Sequence, residues 1–292
     1  MLAYYLTLPF LYLLAWLPLG VLYVLGDIVF VLIFHLARYR RAVVRTNLQN
    51  SFPEKSPEER ARIERTFYRW FCDLLVETLK TLTISPEEVK RRVRLEGEEV
   101  LRHYHDRRQS VILVMGHWGN WELGGARFSQ IGLHQLFVIY HPLHNPGFER
   151  LIVRMRTRLG NRLYAMEETM KGMVRDRHQV TATAFIADQT PPPERAYWTT
   201  FLHQDTPVFW GTEKIARKLG YPVLYVGIDR MRRGHYVMRI EELVPAPKAT
   251  ADGEISERHT RRLEEDIRRK PEFWLWTHRR WKHARPPGVT LP

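Results

Sequence analysis

The chain has 292 residues, 45% of them hydrophobic, and 45 Lys+Arg against 32 Asp+Glu leave a formal net charge of +13. That length allows one large domain or two small ones with a sizeable core, and the positive excess points to an anionic partner: nucleic acid, anionic lipid or an acidic carrier protein. The single cysteine, Cys72, excludes an internal disulfide and suits a buried, inert thiol in a reducing compartment.

Residues 1–37 carry one formally charged side chain, Asp27. As a single helix they would run about 55 Å, well beyond the ~30 Å hydrocarbon core of a bilayer. Pro9, Pro18 and Gly20 are placed to bend or divide that helix. The piece from Ile28 to Ala37 is too short to span alone. The preferred reading is one tilted or kinked membrane segment; a buried helix of a soluble domain is the alternative. A cleaved signal peptide is not expected, because there is no basic leader and no small-residue cleavage motif. Asp27 at mid-membrane would cost ~2.5–3.5 kcal/mol, so it is expected near an interface or against protein. Arg38, Arg40, Arg41 and Arg45 follow at once, and positive flanks stay cytoplasmic. The chain therefore divides into a membrane-anchoring segment, 1–37, and a cytoplasmic-facing domain, 38–292, lying against an anionic inner leaflet.

Ser56-Pro57-Glu58-Glu59 is a helix start with a capping-box serine and glutamate and proline at the first helical position. Ile63, Phe67, Phe71, Leu74 and Leu75 then recur with helical period to about Lys80. Ser85-Pro86-Glu87-Glu88 repeats the start signal, and a further helix is expected over Glu98 to Arg107. Val111 to Met115 is apolar and β-branched, the pattern of a buried strand in a mainly parallel sheet. It runs into Gly116-His117-Trp118-Gly119-Asn120-Trp121-Glu122. The two glycines permit a tight turn, and a helix can start near Asn120. One histidine and one carboxylate thus sit at the carboxyl end of a strand, where open α/β sheets place ligands. A turn between His117 and Glu122 lets the carboxylate reach the imidazole and make it a better general base.

Gly-His-x-Gly-Asn-Trp-Glu, after a hydrophobic strand and an apolar amino terminus, resembles the histidine–x4–acidic signature of the lipid A biosynthesis acyltransferases, the lauroyl/myristoyl type within the glycerolipid acyltransferase superfamily. The resemblance implies an α/β fold with a mainly parallel mixed sheet flanked by helices and an N-terminal apolar membrane helix. It implies transfer of an acyl group from acyl-acyl carrier protein, or acyl-CoA, to a hydroxyl of a lipid A precursor. His117 would be the base and Glu122 its support. Acylation of another glycolipid, phospholipid or amino lipid is the alternative within the class; a non-catalytic membrane-bound binding protein is the alternative outside it.

A helix continues over Leu123 to Gln130, and Gln135 to Tyr140 reads as a short strand. A basic helix is expected from about Phe148 to Leu159, carrying Arg154, Arg156 and Arg158. The resemblance places an arginine of this region on the anionic substrate, and spacing leaves open which of the three. The family commonly has a basic residue, usually arginine, where this chain has His141. Val180 to Ile186 reads as a strand ending at Asp188-Gln189, which resembles the family's Asp-Gln or Asp-His element. Asn120, the three arginines, Asp188 and Gln189 are accordingly the candidate substrate-binding residues.

A helix over Glu213 to Leu219, strands over Pro222 to Asp229 and His235 to Ile240, and a helix over Ile255 to Lys270 complete the α/β pattern. The tail places Trp274, Trp276 and Trp281 among arginines, a composition that fits a membrane interface. No zinc spacing, RNP motif or recognition helix supports a nucleic-acid partner. His103-x-His105 and His141-x-x-His144 lack the further ligands of a metal site, and no cofactor-binding loop is present. The expected location is the inner (cytoplasmic) membrane.

Overall fold

The computed structural model describes residues 2–289 and Leu291. The apolar amino terminus forms two helices, α1 (Leu2–Trp16) and α2 (Leu19–Phe30), and α2 runs on as a π-helical stretch, Val31–Leu36. They part at Leu17-Pro18, where proline has no N–H to continue the ladder; Pro9 is accommodated inside α1. Leu19–Leu36 is long and apolar enough to cross a membrane by length and composition. Neither helix stands clear of the protein. After α3 (Arg41–Ser51) comes the long α4 (Pro57–Lys80), and α2 packs along it. Leu19, Leu22, Phe30 and Phe34 are buried, while Val24, Ile28 and Leu32 point outward and exposed. Asp27 meets Arg233 at 2.8 Å, and Arg233 also holds the buried Asp73 at 2.6 Å, so the carboxylate of the apolar run does lie against protein.

The Ser56 box at the head of α4 is complete: the hydroxyl accepts from Glu59 N at 3.2 Å, and Ser56 N donates to the Glu59 carboxylate at 2.7 Å. Next in the chain come α5 (Pro86–Arg92), β1 (Val93–Glu96), α6 (Glu98–Asp106), β2 (Val111–Met115), α7 (Trp121–Ser129) and β3 (Gln135–Tyr140). They are followed by α8 (Pro146–Thr157), β4 (Arg162–Ala165), α9 (Thr169–Arg175), β5 (Thr181–Ile186), β6 (Ala196–Phe201) and β7 (Gln204–Phe209). The last are α10 (Gly211–Leu219), β8 (Val223–Arg232), β9 (His235–Val244) and α11 (Glu254–Arg269).

Seven strands form one sheet in the order β1-β9-β8-β2-β5-β3-β4. Every pairing is parallel except the β8–β9 hairpin. β6 and β7 pair separately as an antiparallel ribbon. Period-two alternation along β2 divides the core. Val111 and Leu113 pack with Leu123 and Phe128 of α7, and Ile112 and Val114 with Leu263 and Ile267 of α11.

The tail departs from expectation. Trp274 and Trp276 are buried, 3% and 0% exposed, and lie in the core on the α11 side rather than at a surface belt. Trp276 Nε1 donates to Pro271 O at 2.6 Å, and Trp281 Nε1 to Thr206 Oγ1 at 2.7 Å. The buried Trp276 indole and the half-buried Trp281 indole thus each keep a hydrogen-bond partner.

Candidate active site

The turn between β2 and α7 is held from three sides. Gly119 has φ +71, and a Cβ there would stand 1.7 Å from Ile228 O, so only glycine fits. Asn120 caps α7, its Oδ1 accepting from Leu123 N at 3.0 Å, while its Nδ2 donates to the buried Glu77 carboxylate at 2.6 Å. The carboxyl-terminal segment closes the far side: Gly119 N donates to Phe273 O at 2.9 Å and Leu275 N to His117 O at 3.1 Å. The backbone around His117 is therefore fixed before any side chain is considered.

β2 and β5 lie side by side, with Met115 opposite Ile186. Their carboxyl ends deliver His117 and Asp188 to the same rim. His117 Nδ1 lies 2.6 Å from Asp188 Oδ1, and Asp188 Oδ2 accepts from His117 N and Trp274 Nε1, both at 2.7 Å. Burial opposes ionisation of Asp188. The adjacent imidazole, its hydrogen bonds and the buried Arg280 outweigh that and hold the carboxyl well below the usual carboxylate range. An ionised carboxylate only accepts, so in the neutral imidazole the proton sits on Nδ1 and the lone pair on Nε2. The His117 side chain is 15% exposed.

This corrects the expected pairing of His117 with Glu122. Glu122 is in the first turn of α7, and its carboxylate takes a forked contact from Arg156 of α8, Nη2 to Oε1 at 2.6 Å and Nε to both oxygens at 3.2 Å. Two acid–base pairs thus replace one. Asp188, expected to touch substrate, is buried and hydrogen-bonds the imidazole. Asn120, also expected there, is fully buried and spends its amide on the turn and Glu77. Gln189 lies at the rim, its Nε2 3.5 Å from His117 Nε2.

The three arginines have different surroundings. Arg154 lies over the Tyr12 ring of α1, Cζ to centroid 5.6 Å. Arg158 donates to Thr81 O at 3.1 Å and to Ile84 O. Arg156 alone of the three lines the cavity at the site. We expect Arg158→Ala to lower stability by about 1–2 kcal/mol through its lost carbonyl contacts, with kinetics unchanged. Arg154→Ala should stay within about 0.5 kcal/mol. Arg156→Ala should depress kcat/KM most, and lysine should rescue it poorly because the fork is lost. Thermal melts beside steady-state kinetics separate these outcomes; equal kinetic loss in all three variants would contradict the assignment.

The cavity has a volume of about 480 Å³, and His117, Glu122, Arg156 and Gln189 are among its lining residues. Its walls are mostly apolar, among them Leu113, Phe128, Leu136, Val138 and Met238. Such a space accepts a hydrocarbon chain with its polar end at the rim. Among the described residues, no group of three or more His, Cys, Asp or Glu is arranged to hold a metal ion.

Behind the dyad, burial pushes His259 and His278 down to about 4. The unfolded chain protonates histidine near ~6.5, so between those values it binds more protons than the folded chain. This contribution to stability is complete above the unfolded value and is lost as pH falls toward 4. The melting temperature should fall over that window, and less steeply in His278→Gln. A flat profile from neutral pH to about 4 would contradict this.

A family model described as bacterial lipid A biosynthesis acyltransferase matches residues 1–283. Among curated relatives, the chain is 28% identical to a lipid A biosynthesis palmitoleoyltransferase of Escherichia coli (strain K12) over 93% of its length and 88% of the relative's. It is 25% identical to the lauroyltransferase of the same organism, over 95% of this chain and 94% of the relative. For the myristoyltransferase the identity is 23%, over 87% and 77%.

Proposed function

The chain belongs to the bacterial lipid A biosynthesis acyltransferase family, and on that premise we propose that it moves a fatty acyl group from acyl-acyl carrier protein to a hydroxyl of a lipid A precursor at the inner leaflet. His117 Nε2 takes the proton of the acceptor hydroxyl as that oxygen attacks the thioester carbonyl. Asp188 holds the ring and stabilises the imidazolium. Arg156, fixed by Glu122, stabilises the oxyanion or an acceptor phosphate. The carbon–sulfur bond then breaks, and the leaving thiolate recovers the proton from His117, so ester and free thiol are the products. No serine or cysteine nucleophile enters the scheme. The transfer is direct, within a ternary complex.

The observation that carries this reading is the His117–Asp188 pair, with His117 lining a largely apolar cavity. The charge of +13 suits both an acidic carrier and a phosphorylated lipid. Attachment to the membrane is supported by the outward faces of α1 and α2, where Leu6, Phe10, Leu13, Trp16 and Val24 are 60–72% exposed. The test is mass spectrometry of a lipid A precursor incubated with purified protein and acyl-acyl carrier protein. A product heavier by one acyl group is expected. Transfer from acyl-CoA alone would remove the carrier protein from the scheme, and no product from either donor would remove the reading.

A further inference from the structure

Two glycines stand together inside α7, although glycine is the poorest helix former after proline. Close packing accounts for the first. A Cβ on Gly124 would stand 2.1 Å from Ile228 Cδ1. It does not account for the second, because a Cβ on Gly125 would meet only Asn161 Nδ2, at 3.3 Å. Gly125 shares a helical stripe with Trp121 and Phe128, and all three line the cavity. Trp121 sets its ring edge-on to that of His117, centroids 4.8 Å apart. α7 joins two strands that run the same way, so it must travel back from the rim along the sheet. From Trp121 to Phe128 that is about 10 Å. The facing strand runs from Tyr140 at the rim to Leu136, about 13 Å. Phe128 and Leu136 also line the cavity and are each 2% exposed, so the stretch of its wall between α7 and β3 is buried at its inner end.

We propose that the arm between α7 and the sheet holds the tail of the transferred acyl chain, and that the missing side chain at Gly125 sets the length of tail admitted. A chain whose carbonyl lies beside His117 has one free end, and the buried stretch under α7 gives it an apolar path. The path passes Trp121, then Gly125, then stops at Phe128 and Leu136. A side chain at position 125 would project between Trp121 and Phe128 and stop the chain one helical turn early. The inference rests on the acyl-transfer reading of the site.

The test is competition among acyl-acyl carrier protein thioesters from decanoyl to palmitoyl on one lipid A precursor, for wild type, Gly125→Ala and Gly125→Val. The expected result is a preference that moves stepwise to shorter chains. The longest donor accepted by wild type should lose about 10-fold or more in kcat/KM against the shortest, with the larger effect in valine. Alanine is a better helix former and needs Asn161 to give only a few tenths of an ångström, so Gly125→Ala, its melt measured beside wild type, carries the test if valine does not fold. An unchanged ranking of chain lengths in a folded variant overturns the proposal, as does a uniform loss on all donors or a rise in KM for the acceptor alone. Wild-type transfer in the same assay checks the underlying reading separately: its absence defeats that reading, whereas its presence with an unchanged ranking defeats only the role of Gly125.

Discussion

His117→Ala is expected to lower turnover by about 10²–10⁴-fold while the domain still folds, with some loss in melting temperature because the buried Asp188 loses its imidazole partner. The ring is partly exposed at the rim, and the turn that carries it is held by backbone contacts to Phe273 and Leu275 and by the Asn120 cap. Asp188→Asn should have a comparable kinetic effect by another route. An asparagine oxygen can still accept from His117 N and Trp274 Nε1, but its amide would then face Nδ1. That reverses the tautomer, placing the ring proton on Nε2 where the base must be free. Residual activity should show its acid limb at lower pH, because removing a negative charge beside an imidazole disfavours the cation. Glu122→Gln should weaken catalysis without moving that limb, since its partner is Arg156. Double-mutant cycles should give coupling between His117 and Asp188 and between Glu122 and Arg156, and near-additivity across the two pairs. Strong coupling of Glu122 to His117, with Asp188→Asn near wild type, would reverse the assignment.

The sequence made the central strand, the glycine turn and the helix after it legible, because β2 is uniformly apolar and the turn residues are diagnostic. β3 has the bounds that its pattern predicts, Gln135–Tyr140. The partner of His117 was not legible. Asp188 is 71 residues away, and only the parallel register of β2 on β5 brings the two strand ends together. Glu122, near in sequence, was the natural choice, but entry into α7 turns it toward α8. The edge strands β1 and β4 are four residues each and carry exposed Arg94 and Arg162, so neither period is readable. Tryptophans beside arginines have the same composition in a membrane belt and in a core. Trp274 is decided by a contact, its bond to Asp188, that no local pattern contains.

Deleting residues 1–37 is expected to unfold the domain rather than release it from membranes as a soluble enzyme. Leu19, Leu22, Phe30 and Phe34 are all buried, and at ~1.5–3 kcal/mol each their loss comes to about 6–12 kcal/mol. That matches the whole stability of a typical domain, about 5–15 kcal/mol. The polar losses act in the same direction. Lys80 Nζ would lose Ala15 O and Leu17 O, each at 2.9 Å, and Glu77 would lose the Tyr23 hydroxyl at 2.8 Å. Glu77 also holds Asn120, so damage at α2 reaches the turn that carries His117. The outward faces are a different matter. Leu6, Phe10, Leu13 and Trp16 replaced together by serine remove exposed apolar area from α1 while leaving the packed residues in place. That variant should stay folded in detergent and shift from the membrane to the soluble fraction. The measurement is circular dichroism with thermal melting, paired with fractionation in low and high salt. A truncated 38–292 chain that melts cooperatively at the wild-type temperature and transfers acyl groups would show that the amino terminus is a detachable anchor and that the fold does not need the burial of α2 against α4.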